Sequence, residues 1–163
     1  MPGLPTLHPM STDLLFERAA RFGARTAIVD PTGAYSYETL AAPTDAVAPG
    51  LVERGVRPGD RVAYLIEPGF DHVAVQWGVW RAGAIAVPLA TSHPERELAH
   101  VLDDATPSAV VAGRGEYLDR VAGLAGERRI PVSTPGDLQP DDVPALPQVR
   151  AEHPALVIYT SGT

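Results

Sequence analysis

Between Asp13 and Phe22 the apolar positions Leu14, Leu15, Ala19 and Phe22 recur at helical spacing, which predicts a helix capped by Ser11 or Thr12 and stopped at Gly23. Thr26-Ala27-Ile28-Val29-Asp30 then reads as a strand, Pro31-Thr32-Gly33 as a turn and Ala34-Tyr35-Ser36-Tyr37 as the returning strand. Together they make a hairpin. Leu40, Thr44, Val47 and Leu51 mark one stripe of a helix ending at Gly55, yet Pro43 and Pro49 fall inside it. Each interior Pro removes a donor and clashes with the preceding turn, at a cost of about 3 kcal/mol. The expectation is a kinked or split helix.

From Pro58-Gly59-Asp60 onward the pattern becomes regular. Arg61 to Ile66 is a strand, Pro68-Gly69 a breaker, Asp71 to Ala82 a helix closed by Gly83, and Ile85 to Leu89 a second strand. This is a β-α-β unit with parallel strands. Its helix carries Val73, Val75, Trp77, Val79 and Trp80 on most of its sides, which predicts cover by other layers. Ser92 and Glu95 are spaced as a capping box, with Pro94 in the first turn of a helix running through Leu98, Val101 and Leu102. Ala109 to Ala112 is a third buried strand, Glu116 to Leu124 a helix, and Ile130-Pro131-Val132 a short edge strand. The alternation predicts an α/β fold with a mixed or parallel sheet and flanking helices. Residues 133–154 carry five Pro and several Asp, and read as a Pro-rich surface loop with little to bury. Ala155 to Thr160 follows as a buried-type strand that runs into Ser161-Gly162-Thr163.

Composition narrows the function classes. The chain has 163 residues, 45% of them hydrophobic, with a formal charge of -7, enough for one buried core. No run approaches the roughly 20 apolar residues of a membrane span, and the first residues do not form a secretory signal. The expected compartment is the cytoplasm. All 13 basic residues are Arg, scattered among 20 carboxylates rather than gathered into a stripe, so no nucleic-acid groove is expected. With zero Cys there is no disulfide framework, thiolate metal site or Cys nucleophile.

Chemistry concentrates at residues 160–163. A β-branched strand running into Thr160, Ser161, Gly162 and Thr163 brings hydroxyls and Gly-freed backbone N–H groups to one point, an arrangement that binds phosphate oxygens. On spacing alone an ordinary turn is the alternative. Gly113-Arg114-Gly115 begins a dinucleotide fingerprint, but its sixth position is Leu118 and a plain loop is the better reading. His100, Asp103 and Asp104 share one helix at metal-ligand spacing, where a solvated polar face is expected and no metal site is assigned. His93 reads as part of a helix start, and Trp77 and Trp80 as core anchors. No catalytic residue is assigned, and no Walker A, HExxH or G-x-S-x-G motif is present.

Tyr159-Thr160-Ser161-Gly162-Thr163 after an apolar strand resembles the opening of the signature loop of the AMP-forming acyl-CoA synthetase, adenylation-domain and luciferase superfamily. Pro58-Gly59-Asp60-Arg61-Val62 is similar to the approach to that family's first core strand, and Gln76 to Leu89 to its early helix-strand motif. His93-Pro94, Glu97-Leu98, Val101 to Asp104 and Ser108 to Val111 continue the match in order and spacing. Gln-Trp-x-x-Trp followed by Ala-Val-Pro-Leu and His-Pro looks most like malonyl-CoA synthetases and their close relatives.

The resemblance implies a two-step reaction in which a carboxylic acid and ATP form an acyl-adenylate and CoA then displaces AMP. It implies ATP, Mg²⁺ and CoA for the full-length enzyme, with Thr160, Ser161, Gly162 and Thr163 as the ATP phosphate-binding positions. Residues 1–163 correspond to the N-terminal part of the large adenylate-forming domain. The loop's Lys and the adenine, ribose and Mg²⁺ motifs are not among them. The chain alone is therefore expected to be inactive, to retain no cofactor, and to self-associate through apolar surface that later segments would cover. Two rivals remain. One is an adenylation domain or acyl-AMP ligase serving a carrier protein, and the other a non-enzymatic truncated remnant.

Overall fold

The computed structural model describes residues 14–141 and 144–160. A short helix α1 (Leu15–Ala19) tightens into a 3-10 turn over Ala20–Phe22 and stops at Gly23. The expected single helix from Asp13 to Phe22 is thus shorter. Glu17 accepts the Leu14 N–H at 3.0 Å, while the predicted caps Ser11 and Thr12 lie outside the described residues. Strands β1 (Thr26–Asp30) and β2 (Gly33–Ser36) form the expected antiparallel hairpin. Tyr37 leaves it to open the next helix, because the Ser36 hydroxyl accepts the Thr39 N–H at 3.1 Å and caps that helix.

That helix, α2 (Tyr37–Glu53), runs through both Pro43 and Pro49 without a break, so the expected split is incorrect. Packing explains the outcome. Leu40, Val47 and Leu51 are at most 2% exposed, and burying each contributes about 1.5–3 kcal/mol, against about 3 kcal/mol for each Pro. The two sums are comparable, and Ala48, Pro49 and Thr44 are buried as well. Where α2 crosses the next helix, Gly78 lets the helices close up, since an added Cβ would collide with Val47. Gly50 does the same beneath the Leu138 carbonyl.

The central layer comprises β3 (Arg61–Leu65), β4 (Ile85–Pro88), β5 (Ala109–Ala112) and β6 (Val132–Ser133), in the order β4-β3-β5-β6. Every pair in it is parallel. The helices α3 (Phe70–Arg81), α4 (Glu95–Ala105) and α5 (Glu116–Glu127) connect the strands. Period-two alternation divides the side chains between two cores. Val62, Tyr64 and Val111 pack with Val47, Leu51, Val75 and Val79 from α2 and α3. Ala63, Leu65 and Val110 pack with Leu98, Leu102, Val121 and Ala125 from α4 and α5. The molecule is therefore an α/β three-layer arrangement, with the hairpin beside it. Among the described residues no helix is long and apolar enough to cross a membrane.

Three further expectations need correction. The cap of α4 is Pro94, without a side-chain cap bond, because residues 90–93 turn on the His93 N–H to the Ala90 carbonyl and leave Ser92 before the helix. Residues 133–154 are not wholly a surface loop: Leu138 is fully buried, Thr134 nearly so, and Leu146 packs against the α2–α3 core. Finally, Ala155 to Thr160 is not a buried strand. It touches the edge of β4 through a single parallel bridge, Ala86 to Leu156, and Leu156 and Ile158 are 38% and 64% exposed.

Candidate functional site

Two places have the topology or the chemistry of a site. The first lies at the carboxyl ends of β3 and β5, where the chain leaves toward opposite faces, α3 packing in one core and α5 in the other. Open parallel sheets bind ligands at such switch points. A cleft of about 430 Å³ opens there, lined by Asp30, Tyr35, Glu67, Phe70, Arg114 and Tyr117 among others.

Asp30 organises this cleft. One carboxylate oxygen accepts from the Thr32 N–H at 2.8 Å, the Thr32 hydroxyl at 2.5 Å and the Gly33 N–H at 3.2 Å. The other accepts from the Phe70 N–H at 3.0 Å, at the first turn of α3. The Thr32 hydroxyl first, and the Phe70 amide next, hold its carboxyl below the usual carboxylate range. Asp30 thereby fastens the hairpin to α3. An Asp followed by Pro-Thr-Gly is a legible turn signal, but nothing local in the sequence marks its partner forty residues away. Gly69 at the same junction has φ +159°, which is extended backbone, and an added Cβ would come within 2.9 Å of the Asp30 carboxylate. Close approach selects Gly there. Beneath the cleft Tyr64 donates to Gln76 Oε1 at 2.8 Å, and burial pushes its phenol well above the ordinary value.

The second place is the end of the 155–160 segment. Thr160 is exposed at its tip, while Ser161, Gly162 and Thr163 lie outside the described residues. The segment is fastened at both ends. The Ala86 N–H donates to the Ala155 carbonyl at 2.9 Å and the Val157 N–H to the Ala86 carbonyl at 2.9 Å. Trp80 Nε1 donates to the same Ala155 carbonyl at 2.6 Å. Tyr159 Oη donates to Asp104 Oδ2 at 2.5 Å. Val157 and Tyr159 pack against the α4–α5 core, and the alternate residues Leu156 and Ile158 face outward. The Thr-Ser-Gly-Thr run is visible in the sequence, whereas Asp104, expected on a solvated polar face, accepts from a partner 55 positions away.

The remaining candidates separate from both places. Asp103 turns to Arg128, whose Nε and Nη2 donate to it at 2.6 and 2.8 Å, and the bond from Arg128 holds its carboxyl low. With Asp104 bound to Tyr159, the His100-Asp103-Asp104 set does not converge. Among the described residues no three His, Asp or Glu side chains are grouped to hold a metal. His93 is not a cap. Its carbonyl, with that of Thr91, accepts from Arg120 at 2.5 and 2.7 Å, which ties the loop after β4 to α5. Gly113-Arg114-Gly115 is a loop, and Gly115 at φ +68° begins α5. Trp77 and Trp80 are half-buried, and Trp80 packs against the α2–α3 core. Trp77 stacks on Tyr37 with ring centroids 6.3 Å apart.

Comparison with known proteins bears on the family. The family model described as AMP-binding enzyme matches residues 15–163. The chain is 36% identical over 165 residues to the Malonate--CoA ligase ACSF3, mitochondrial, of Xenopus laevis, covering 91% of this chain and 28% of that protein. It is 33% identical over 153 residues to the Fumosorinone synthetase of Cordyceps fumosorosea (strain ARSEF 2679), covering 86% of this chain and 4% of that one. Among solved structures, apo MatB from Rhodopseudomonas palustris superposes with a TM-score of 0.72 at 30% identity, covering 86% of this chain and 30% of MatB. The chain spans under a third of the length of the malonate–CoA ligases it matches. With order, spacing and fold in agreement along nearly all of its length, this chain belongs to the AMP-binding enzyme family.

Proposed function

We propose that residues 1–163 form the N-terminal part of an ATP-dependent acid–thiol ligase acting on malonate or a related small carboxylic acid, with Thr160, Ser161, Gly162 and Thr163 as its ATP phosphate-binding positions. The carboxylate oxygen attacks the α-phosphorus of ATP and pyrophosphate leaves, giving an acyl-adenylate. The thiol of CoA then attacks the acyl carbon and AMP leaves. Neither step needs a protein nucleophile, and this chain is assigned none. Its contribution is to the charge that develops on phosphate oxygens, which preorganised hydroxyl and N–H donors stabilise.

The observation that carries the reading is the 36% identity to a malonate–CoA ligase across 91% of the chain. Mg²⁺ enters with ATP, and no group of three His, Asp or Glu side chains among the described residues is placed to hold it. A second reading, transfer of the acyl group to a carrier protein instead of CoA, is favoured by the likeness to a very long synthetase of which this chain matches only 4%. The test joins residues 1–163 to the residues that follow the aligned region in the Xenopus malonate–CoA ligase. Malonate-dependent ATP–pyrophosphate exchange and malonyl-CoA formation are then measured. The proposal predicts both activities in the fusion, their loss in a T160A/S161A/T163A triple variant, and neither in the 163-residue chain alone. Exchange without thioester supports the carrier-protein reading, and a folded fusion with neither activity supports the remnant. The exposed Leu156 and Ile158 are the surface through which we expect the chain alone to self-associate. Sedimentation of an I158S variant checks this, with dissociation toward monomer expected.

A further inference from the structure

The 155–160 segment poses a physical problem that its backbone alone does not solve. One bridge to β4 supplies two hydrogen bonds, both centred on Ala86. Among the described residues no further backbone hydrogen bond fixes the direction in which the chain leaves residue 157. A segment tethered at one point can pivot, and its tip is Thr160. If the residues after Tyr159 are to meet a ligand, something else must fix their approach.

Two side chains from different elements bear on the segment on either side of that bridge. At the near end, Trp80 reaches out of α3 and donates its indole N–H to the Ala155 carbonyl at 2.6 Å. That carbonyl also receives the Ala86 N–H, so both of its lone pairs are used. At the far end, Asp104 on the last turn of α4 accepts the Tyr159 hydroxyl at 2.5 Å. Tyr159 is the residue immediately before Thr160. Its ring lies on the α4–α5 core, so the phenol is held by packing as well as by its hydrogen bond. We propose that Asp104 is a positioning residue which, through Tyr159 and together with Trp80, fixes the path of residues 155–160 and so aims Thr160 at the nucleotide phosphates.

The chemistry of the pair suits the task. A carboxylate accepting from a phenol makes a charge-assisted bond, shorter and about twice as strong as a neutral one. Burial first, and the Asp104 bond next, push the Tyr159 phenol up to about 12, so the phenol remains a donor throughout the neutral range. Its neighbour Asp103 differs, being held by Arg128 on two nitrogens. Two adjacent carboxylates on one helix thus have different roles. Asp103 joins α4 to α5, and Asp104 joins α4 to the approach of the candidate phosphate site.

The inference rests on the phosphate reading of Thr160 to Thr163, and the experiment separates the two. In the fusion ligase described above, D104A and Y159F should each lower kcat/KM for ATP about tenfold, the scale of one lost charge-assisted bond. The D104A/Y159F double variant should be no worse than either single, because both remove the same bond. D104N, whose side-chain oxygen still accepts from the phenol, should recover most of the activity. KM for malonate should stay within twofold throughout, and W80F should reproduce the ATP effect in milder form. A merely structural role would lower thermal stability and affect both substrates alike, which overturns the inference, as would multiplicative effects of D104A and Y159F. Amide exchange in the 163-residue chain supplies the separate arm. Val157 should lose protection in D104A while Val62 in β3 keeps it, and unchanged Val157 protection also overturns the proposal. If the exchange result holds but T160A/S161A/T163A leaves ATP kinetics intact, the clamp exists and the phosphate reading has failed, which removes its proposed role.

Discussion

Ala109-Val110-Val111-Ala112 and Ala155-Leu156-Val157-Ile158 are almost interchangeable as sequences, yet they have opposite fates. The first is β5, at most 8% exposed along its length, with β3 on one side and β6 on the other. The second makes one bridge and leaves Leu156 and Ile158 turned to solvent. A β-branched run records a preference for a pleated surface, and its burial depends on what covers each face. For β5 the covers are α2 and α3 on one side and α4 and α5 on the other. For residues 155–160 one face rests on the α4–α5 core, and on the other Leu156 is partly covered while Ile158 stays mostly exposed. The candidate chemistry sits on the less supported of the two segments. Side chains from α3 and α4 therefore give it the support that the sheet gives β5.

Substituting one residue in each strand sharpens that contrast most. V111D places a carboxylate at a fully buried position with no partner, and should cost about 4 kcal/mol or more, enough to abolish cooperative melting. I158D alters a residue that is 64% exposed, and should change stability by less than about 0.5 kcal/mol. Equal effects in calorimetry or urea titration would mean that the two segments do not differ as described.

A smaller effect probes the helix that covers β5. P43A restores a hydrogen-bond donor in a half-buried part of α2, and should raise stability by about 1 kcal/mol after allowing for the freer unfolded chain. P49A restores a donor too but removes a buried ring, so its gain should be smaller than that of P43A. Urea denaturation of the two variants checks the order, and a larger gain from P49A would mean that its ring contributes little to packing.

What is legible in the sequence follows the same physics. The strands of the central sheet and the breakers around them are readable because each is a short apolar run closed by Gly or Pro, and local chemistry decides such boundaries. The hairpin is readable from Pro31-Thr32-Gly33. The continuity of α2 is not, because it depends on Val47 meeting Gly78 and on Gly50 lying under Leu138, contacts between distant parts of the chain. Leu138 looks like one apolar residue in a Pro-rich loop, and only the groove above α2 explains its burial. In the candidate site the hydroxyl run is visible as a motif, while Asp104, Trp80 and Asp30 act through partners that no spacing rule indicates.

The smallest effect concerns pH. Asp30 has a carboxyl held below its usual value in the folded chain, so its contribution is present above the ordinary value of about 4 and is lost as pH falls through the lower folded one. D30N should melt below the parent at neutral pH, and the gap should shrink as the pH falls below about 4. A gap that widens on acidification would contradict the fastening role given to its carboxylate.

The proposed site puts the triphosphate at the tip of the 155–160 segment rather than in the switch-point cleft. An ATP analogue carrying a photoreactive azidoanilide on its γ-phosphate, irradiated with the fusion ligase and mapped by mass spectrometry, tests it directly. ATP-competable adducts are expected on or next to Thr160 to Thr163. Adducts concentrated instead on Arg114, Tyr117 and the other residues lining the cleft beside Asp30 would contradict it.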